Sequence, residues 1–293
     1  MAMSREKVTM ITVNYNSTKY LNRLLRSVEK IKNELSTVII IDNNTPKFQE
    51  ELVTPKKLTK IIRIIKNRHN IGFSNGVNMG IALARSNLIL LLNPDTFLPN
   101  RSVVKTLYKI RKDKNIGIIS GTLIDEKTGC TQLSVNMKPT FMTALFEFTN
   151  LKKLIPNNPF TKRFWPQIDN VNKKIMEVDA VCGAYMIFRK KHKNKTNTFD
   201  ENYFLYLEDL DFGISAKNRG VRVLFDAEST VVHTGGASSG SIYNIELKNW
   251  YKSRRYFFQK YLTKPQGFII SIVFNMEEKL LKILHKITNT PEF

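Results

Sequence analysis

Three carboxylates, Glu208, Asp209 and Asp211, fall within four positions, directly after the aromatic and apolar run Tyr203-Phe204-Leu205-Tyr206-Leu207. Ionised groups are costly to bury in such surroundings unless they have a task. Further on, His233 follows Val231 and Val232 at what reads as a strand end. Upstream, Leu88-Ile89-Leu90-Leu91-Leu92 runs straight into Asn93-Pro94-Asp95-Thr96, another acid at the tip of a buried strand. Acids and a histidine converging at strand ends supply oxygen ligands for a hard cation and a general base, which is what a metal-assisted group transfer requires.

The elements that must position these residues are legible in the first half. Val8 to Val13 reads as a strand ending in Asn14-Tyr15-Asn16, and Val38 to Ile41 as a strand ending in Asp42-Asn43-Asn44. Tyr20, Leu21, Leu24, Leu25, Val28 and Ile31 mark one helical face between them. A third strand at 61–65 leads into Asn70-Ile71-Gly72-Phe73-Ser74-Asn75-Gly76, a glycine-permitted turn opening a helix that runs through Ala84. The strand at 88–92, a helix with Val103, Val104 and Leu107, and a strand at 116–120 follow. Near-continuous apolar strands alternating with helices predict a mostly parallel sheet covered on both faces, with ligands at the carboxyl ends of its strands. The helix start after Gly72 suits a phosphate or diphosphate. Asp42 suits either a turn-forming role or a hydrogen bond to a nucleobase beside Asn14 and Asn16.

From about 130 to 175 the pattern weakens. Phe141 to Phe148 and Phe160 to Trp165, with prolines between, suit a lid or acceptor-facing insertion. Val178 to Phe188 resumes as a strand interrupted at Gly183, where a bulge or the close approach of another group is expected. Arg189 to Lys195 reads as a solvated basic turn.

Charge and cysteine content narrow the classes. Lys and Arg number 46 against 25 acids, a net +21, which favours nucleic acid, an anionic membrane surface or phosphorylated substrates as partners. Nucleic acid fits poorly, because a polyanion site would not set acids at the strand ends. Cys130 and Cys182, far apart and with no CxxC, argue against a disulfide framework or zinc site and fit a reducing cytoplasm. The polar start, Met1 to Lys7, carries no signal-peptide pattern, and the longest apolar run, Phe268 to Phe274, is far below the ~20 residues that span a bilayer.

The last segment, 246–293, reads as a basic amphipathic helical extension of a catalytic domain over 1–245. Leu247, Trp250, Tyr251, Phe257, Phe258, Tyr261 and Leu262 follow helical spacing among Lys248, Lys252, Arg254, Arg255 and Lys260. A second stripe, Met276, Leu280, Ile283, Leu284 and Ile287, has Lys279, Lys282 and Lys286 beside it. Such helices lie in anionic membrane interfaces, pack on a catalytic domain or make dimers. On the membrane reading, Phe268, Ile269, Ile272 and Phe274 supply the apolar contact.

Taken together, Thr12-Val13-Asn14-Tyr15-Asn16, Ile41-Asp42-Asn43, Asn70-Ile71-Gly72-Phe73 with Gly76 and Asn78, Leu92-Asn93-Pro94-Asp95-Thr96, Gly183-Ala184, Phe199-Asp200, Glu208-Asp209-Leu210-Asp211, Gly220 and His233 resemble the inverting nucleotide-sugar glycosyltransferases of family 2. The nearest likeness is the rhamnosyltransferase-like branch of bacterial surface-polysaccharide synthesis. The resemblance implies an α/β GT-A fold, Rossmann-like, with a nucleotide-sugar half over about 1–125 and an acceptor-side half over about 126–245. It implies that Thr12, Val13, Asn14, Tyr15, Asp42, Asn43, Asn70, Gly72, Asn75, Gly76, Asn93, Asp95, Gly183 and Ala184 bind the nucleotide sugar. Asp95 and His233 would hold a divalent cation, Mn²⁺ or Mg²⁺. Asp209 would be the general base, with Glu208 and Asp211 as its neighbours in the acidic cluster. The implied partners are a nucleotide-diphosphate sugar (dTDP-rhamnose or a UDP-sugar), a lipid-linked or growing glycan acceptor such as O-antigen or capsule, and an anionic membrane surface; no nucleic acid is expected, and a homodimer or glycan-assembly partner is compatible. The expected place is cytoplasmic, peripheral on the inner face of the cytoplasmic membrane. A nucleotide-sugar-binding homologue without transfer activity, or a nucleotidyltransferase, is the alternative. Two departures stand out: the family's Asp-x-Asp is here Asn93-Pro94-Asp95, and an arginine usual after the acidic cluster is replaced by Ser215, leaving Lys217 or Arg219 to meet the diphosphate.

Overall fold

The computed structural model describes residues 6–166, 175–192, 194–235 and 243–288, with side chains left aside at 243–246 and 285–288. Four parallel strands open the chain: β1 (Val8–Asn14), β2 (Leu35–Asp42), β3 (Ile62–Lys66) and β4 (Leu88–Leu92). The later strands are β5 (Thr96–Phe97), β6 (Ile116–Asp125), β7 (Val135–Asn136), β8 (Ile175–Glu177), β9 (Ala180–Val181), β10 (Tyr185–Arg189), β11 (Lys191–His192), β12 (Lys195–Thr196) and β13 (Arg222–His233). The main sheet runs β3-β2-β1-β4-β10-β6-β13-β5, with β8 on β13. Only β10, β5 and β8 oppose the common direction, so the expected mostly parallel sheet is what forms. All of β1 and β4 is buried, as strands covered on both faces must be.

Helices α1 (Thr18–Val28), α2 (Phe48–Glu51), α3 (Phe73–Leu83) and α4 (Ser102–Lys112) come from the first half. Leu21 and Leu24 of α1 join Val103 and Leu107 of α4 in the core on one face of the sheet. Val77 and Ile81 of α3 join the core on the other face, with Phe212 and Ala216 of a later helix, α8 (Glu208–Asn218). Before α8 come α5 (Phe141–Glu147), α6 (Leu151–Leu154) and α7 (Pro159–Phe164), and after it α9 (Tyr243–Tyr261) and α10 (Lys264–Thr288). These build a third core, in which Phe148, Phe164, Leu210, Tyr251, Phe258, Ile270 and Phe274 pack together.

Three expectations change here. Arg189 is no solvated turn residue: it is buried, and its guanidinium donates to the carbonyl of Ile116 at 3.0 Å and to that of Ile110. Phe274 is fully buried against Phe258 and Tyr251, so it belongs to the core and not to a membrane face. Arg254, Arg255, Lys260 and Lys282, four of the nine basic residues of α9 and α10, each pair with an acid of the chain itself, so part of the basic character of these helices is taken up within the protein. The side chains of Lys286 and Ile287 lie outside the described residues.

Candidate active site

The nucleotide side is built where β1 and β2 end in register, Asn14 opposite Asp42. The Asn14 amide donates to Asp42 Oδ1 at 2.9 Å and to Thr45 Oγ1 at 3.0 Å, while Asp42 Oδ2 accepts the Thr45 N–H at 3.1 Å. Asn43 donates to Asn70 Oδ1 and to the Gly72 carbonyl, both at 3.1 Å, and accepts from Asn67 at 2.8 Å. Asp42 therefore does act as a turn former, with both oxygens already engaged and no exposure to solvent. Thr12 Oγ1 and Asn14 Oδ1 are buried with no hydrogen-bond partner among the described residues, so open acceptor capacity remains at this strand end. Val13 is buried against Gly76, where an added Cβ would come within 2.9 Å of it; Tyr15 is half-buried.

The turn before α3 has a second use that spacing did not disclose. Gly72 sits at φ +85°, and a Cβ there would lie 2.6 Å from the Phe204 carbonyl oxygen, so only glycine fits. The Phe73 N–H donates to that carbonyl at 2.8 Å, and the Gly72 N–H to Asn70 Oδ1 at 2.9 Å. Asn75 donates to the Ile71 carbonyl at 3.2 Å. Amides expected to face a phosphate are thus partly engaged in clamping the segment that leads to the acidic cluster.

Asp95 and His233 meet because β13 pairs with β5, setting His233 opposite Thr96. Asp95 Oδ1 lies 3.4 Å from His233 Nε2, and the Thr234 N–H donates to the Asp95 carbonyl at 3.0 Å. Gln132 orients the imidazole: its amide nitrogen donates to Asp125 Oδ2 (3.0 Å) and to the His233 carbonyl (3.2 Å), which turns Oε1 toward His233 Nδ1 at 2.7 Å. With Nδ1 as the donor, the neutral ring presents the Nε2 lone pair to Asp95, the arrangement typical of a metal-ligating histidine with an outer partner. The Asn93 N–H donates to the Ala184 carbonyl at 3.0 Å, and Asn93 Oδ1 is buried without a partner. Among the described residues no group of three or more His, Cys, Asp or Glu gathers as a metal cage. One carboxylate oxygen and one imidazole nitrogen facing each other nevertheless fit a divalent cation that takes its other ligands from substrate phosphates.

The acidic cluster opens α8, where the helix dipole favours negative charge. The chain enters it through two non-glycine residues in the left-handed region, Tyr206 (φ 74°) and Leu207 (φ 66°), a costly conformation that clusters at functional sites. Asp209 Oδ2 accepts the Gly183 N–H at 2.9 Å and Oδ1 the Leu210 N–H at 2.8 Å. Gly183 is the expected close approach, a Cβ there lying 3.4 Å from Asp209 Cβ. Burial raises the Asp209 carboxyl above its ordinary range despite these hydrogen bonds. Burial and the neighbouring Asp209 push Glu208 up to about 8, so at neutral pH one acid of the pair is held neutral beside the other. Cys182, which also hydrogen bonds to Asp209, is pushed up to about 12, first by burial and then by the Asp209 charge, and is no nucleophile. Asp211 points elsewhere: Lys260 at 2.8 Å and Tyr203 at 3.3 Å hold it in the joint between α8 and α9. Lys217 is paired with Asp179, and Arg219 donates to Ser215 and Asn197. Both lie at the far end of α8, about 12 Å or more along its axis from Asp209, so neither is placed to meet a diphosphate beside it.

Asp209 and Glu208 line a cavity of about 570 Å³. Its walls come from the 141–165 insertion and from α9 and α10, through Glu147, Trp165, Trp250, Arg254 and Glu277 among others. Glu147 and Trp165 fall in the segments expected to form a lid or acceptor-facing insertion, and Trp250 and Arg254 in the C-terminal stripe, but no local motif marked Glu147, Glu277 or Gln132 individually. They reach the site only through the third core and the strand pairing of β13.

Residues 9–191 match the model of glycosyl transferase family 2. The chain is 21% identical over 242 residues to the N-acetylglucosaminyl-diphospho-decaprenol L-rhamnosyltransferase of Mycobacterium tuberculosis, covering 79% of this chain and 77% of that protein. It is 23% identical over 279 residues to the rhamnosyltransferase WbbL of Escherichia coli K12, covering 92% and 99%. Among solved structures, GalNAc-T7 with UDP, GalNAc and Mn²⁺ superposes with a TM-score of 0.60 at 15% identity, covering 94% of this chain. The chain spans about half of that longer protein, 55% of its length.

Proposed function

The chain belongs to glycosyl transferase family 2 and is a glycosyltransferase, and we propose that it moves a sugar from a nucleoside-diphosphate donor to a hydroxyl of a lipid-linked or growing bacterial surface glycan, with inversion and with Asp209 as the general base. The observation that carries this reading is the position of Asp209. Its carboxylate lines the cavity walled by the insertion and the C-terminal helices and accepts the N–H of Gly183, whose neighbour Ala184 accepts the N–H of Asn93 in the segment that carries Asp95. Rhamnosyltransferase relatives support dTDP-rhamnose as the donor, with a UDP-sugar as the other candidate.

In the proposed step the acceptor hydroxyl gives its proton to Asp209 as its oxygen bonds to the anomeric carbon. The bond from that carbon to the diphosphate oxygen breaks on the opposite face, and the electron pair leaves with the nucleoside diphosphate. The Gly183 and Leu210 amides hold the carboxylate in line, and burial makes it a stronger base. Asp95 and His233 would hold Mn²⁺ or Mg²⁺, which would stabilise the charge developing on the departing diphosphate.

The acceptor side also suits a membrane surface. Phe268, Ile269, Ile272, Met276, Leu280 and Ile283 are exposed along α10 and fall on one side of it at 100° per residue, with Lys264 at the edge of that stripe and Lys279 within it. No described helix is long and apolar enough to cross a membrane, so the face would lie on the bilayer.

Asp209→Asn tests the catalytic assignment. A base acts in the transition state, so transfer is expected to fall by about 10²-fold or more while donor affinity stays within a factor of about two. A variant that keeps a tenth of wild-type turnover removes Asp209 from the role.

A further inference from the structure

The cavity beyond Asp209 carries polar groups that the transfer step does not use. Asn136 Nδ2, Glu147 Oε2 and Arg254 Nε line it and, like Glu208 Oε2, have no hydrogen-bond partner among the described residues. Glu147 is 9% exposed and Arg254 3%. A buried polar atom without a partner is uncommon in a folded protein, even where the rest of its side chain is satisfied.

Aromatic planes stand beside them. The chain has two tryptophans, Trp165 and Trp250, and both line the cavity. Glu147 Oε1 accepts the Trp165 indole N–H at 2.8 Å and pairs with Lys152, so the carboxylate is held by one oxygen and the other is left over. The Arg254 guanidinium lies 3.9 Å from the Tyr251 ring centroid and 4.8 Å from that of Trp250. Tyr251 and Arg254 are in turn held by Glu277 of α10, at 2.7 and 3.7 Å.

We propose that this cavity is the subsite for the acceptor sugar, with Glu147, Asn136 and Arg254 selecting its hydroxyls and the tryptophans receiving its apolar face. A pyranose has both properties the walls ask for: C–H faces that lie against aromatic rings, and hydroxyls that donate to Glu147 while accepting from Asn136 and Arg254. A lipid chain would leave all three polar groups unsatisfied. The donor nucleotide is excluded by position, since Thr12, Asn14, Asp42, Asp95 and His233 are absent from the lining. At about 570 Å³ the space is within the range of small-molecule sites. This assignment rests on the transferase reading above, and it makes the insertion and α10 the determinants of acceptor choice.

Both tryptophans report on the cavity, so intrinsic fluorescence of the full chain gives a direct test. Methyl glycosides of hexoses and N-acetylhexosamines are titrated, with octanol as the apolar control and nucleoside diphosphate plus Mn²⁺ in a parallel binding measurement. At least one glycoside is expected to give a saturable change. Glu147→Gln should weaken that binding about tenfold or more, the size expected for losing a hydrogen bond to a charged group. Asn136→Ala, which truncates a half-buried side chain, should weaken it about threefold or more. No saturable response to any glycoside, a response to octanol alone, or unchanged affinity in both variants overturns the subsite. Failure of the transferase reading shows separately, as absent nucleoside diphosphate binding in the parallel measurement.

Discussion

Glu208 shows how one side chain can be recruited by its surroundings. It shares the first turn of α8 with Asp209, yet it has no hydrogen-bond partner for Oε2 and is pushed up to about 8 by burial and by the Asp209 charge. A buried neutral acid beside an ionised one lets a single negative charge occupy the helix start, where two would repel. The consequence for stability has a definite sign. Because the folded value lies above the ordinary 4.5, the protonated form favours folding, and that contribution is complete below about pH 4.5 and lost as pH rises toward 8. Glu208→Gln is therefore expected to raise the unfolding temperature at pH 8 and to leave it nearly unchanged at pH 4.5. Equal shifts at both pH values in thermal denaturation would show that Glu208 is not held neutral.

Among the elements, α8 and α9 are joined by a polar tie. Lys260 of α9 bridges Asp211, buried in the first turn of α8, and Asp200, in the segment before it, at 2.8 and 2.7 Å. Burial opposes ionisation of Asp200, but Lys260, the Asn202 N–H and Tyr256 outweigh it and hold the group at about 2. The tie fixes the helix that presents Asp209, so Lys260 is a positioning residue. Removing it leaves the Asp211 carboxylate buried against Tyr203 alone, while its own ammonium is a third exposed. The expected cost of Lys260→Met is therefore about 1–3 kcal/mol, below that of a fully buried pair. Turnover should fall with little change in donor affinity, and Lys260→Arg should restore most of it. A destabilised variant with normal turnover would make the tie purely structural.

On the scale of the whole molecule, the α10 apolar stripe and the inward-turned charges make a joint prediction. Since Arg254, Arg255, Lys260 and Lys282 are engaged with internal acids, binding to anionic vesicles should depend less on salt than the net charge of +21 suggests. Apolar burial by Phe268, Ile269 and Ile272 would carry most of it. Co-sedimentation is expected to persist at 0.5 M salt and to be lost in Phe268→Ser/Ile272→Ser. A full chain that ignores anionic vesicles at low salt assigns the stripe to a second protein surface.

Local pattern alone determined the sheet, its two helical faces and the placing of Asn14, Asp42, Asp95 and His233 at strand ends. Strand burial and helical spacing are written in neighbouring residues, and parallel strands bring their carboxyl ends to one edge. The acidic cluster was equally visible, because ionisable groups in an apolar run are conspicuous whatever they touch. Its internal division of labour was not: Asp211 goes to Lys260 and Asp209 to Gly183 through contacts 49 and 26 residues away in the chain. The same holds for Gln132 behind His233 and for Glu147 and Arg254 in the cavity, which carry no periodic signal. Tertiary packing also reversed the meaning of Phe274 and of four of the nine basic residues in α9 and α10, since an amphipathic stripe records that a face will be covered and not what covers it.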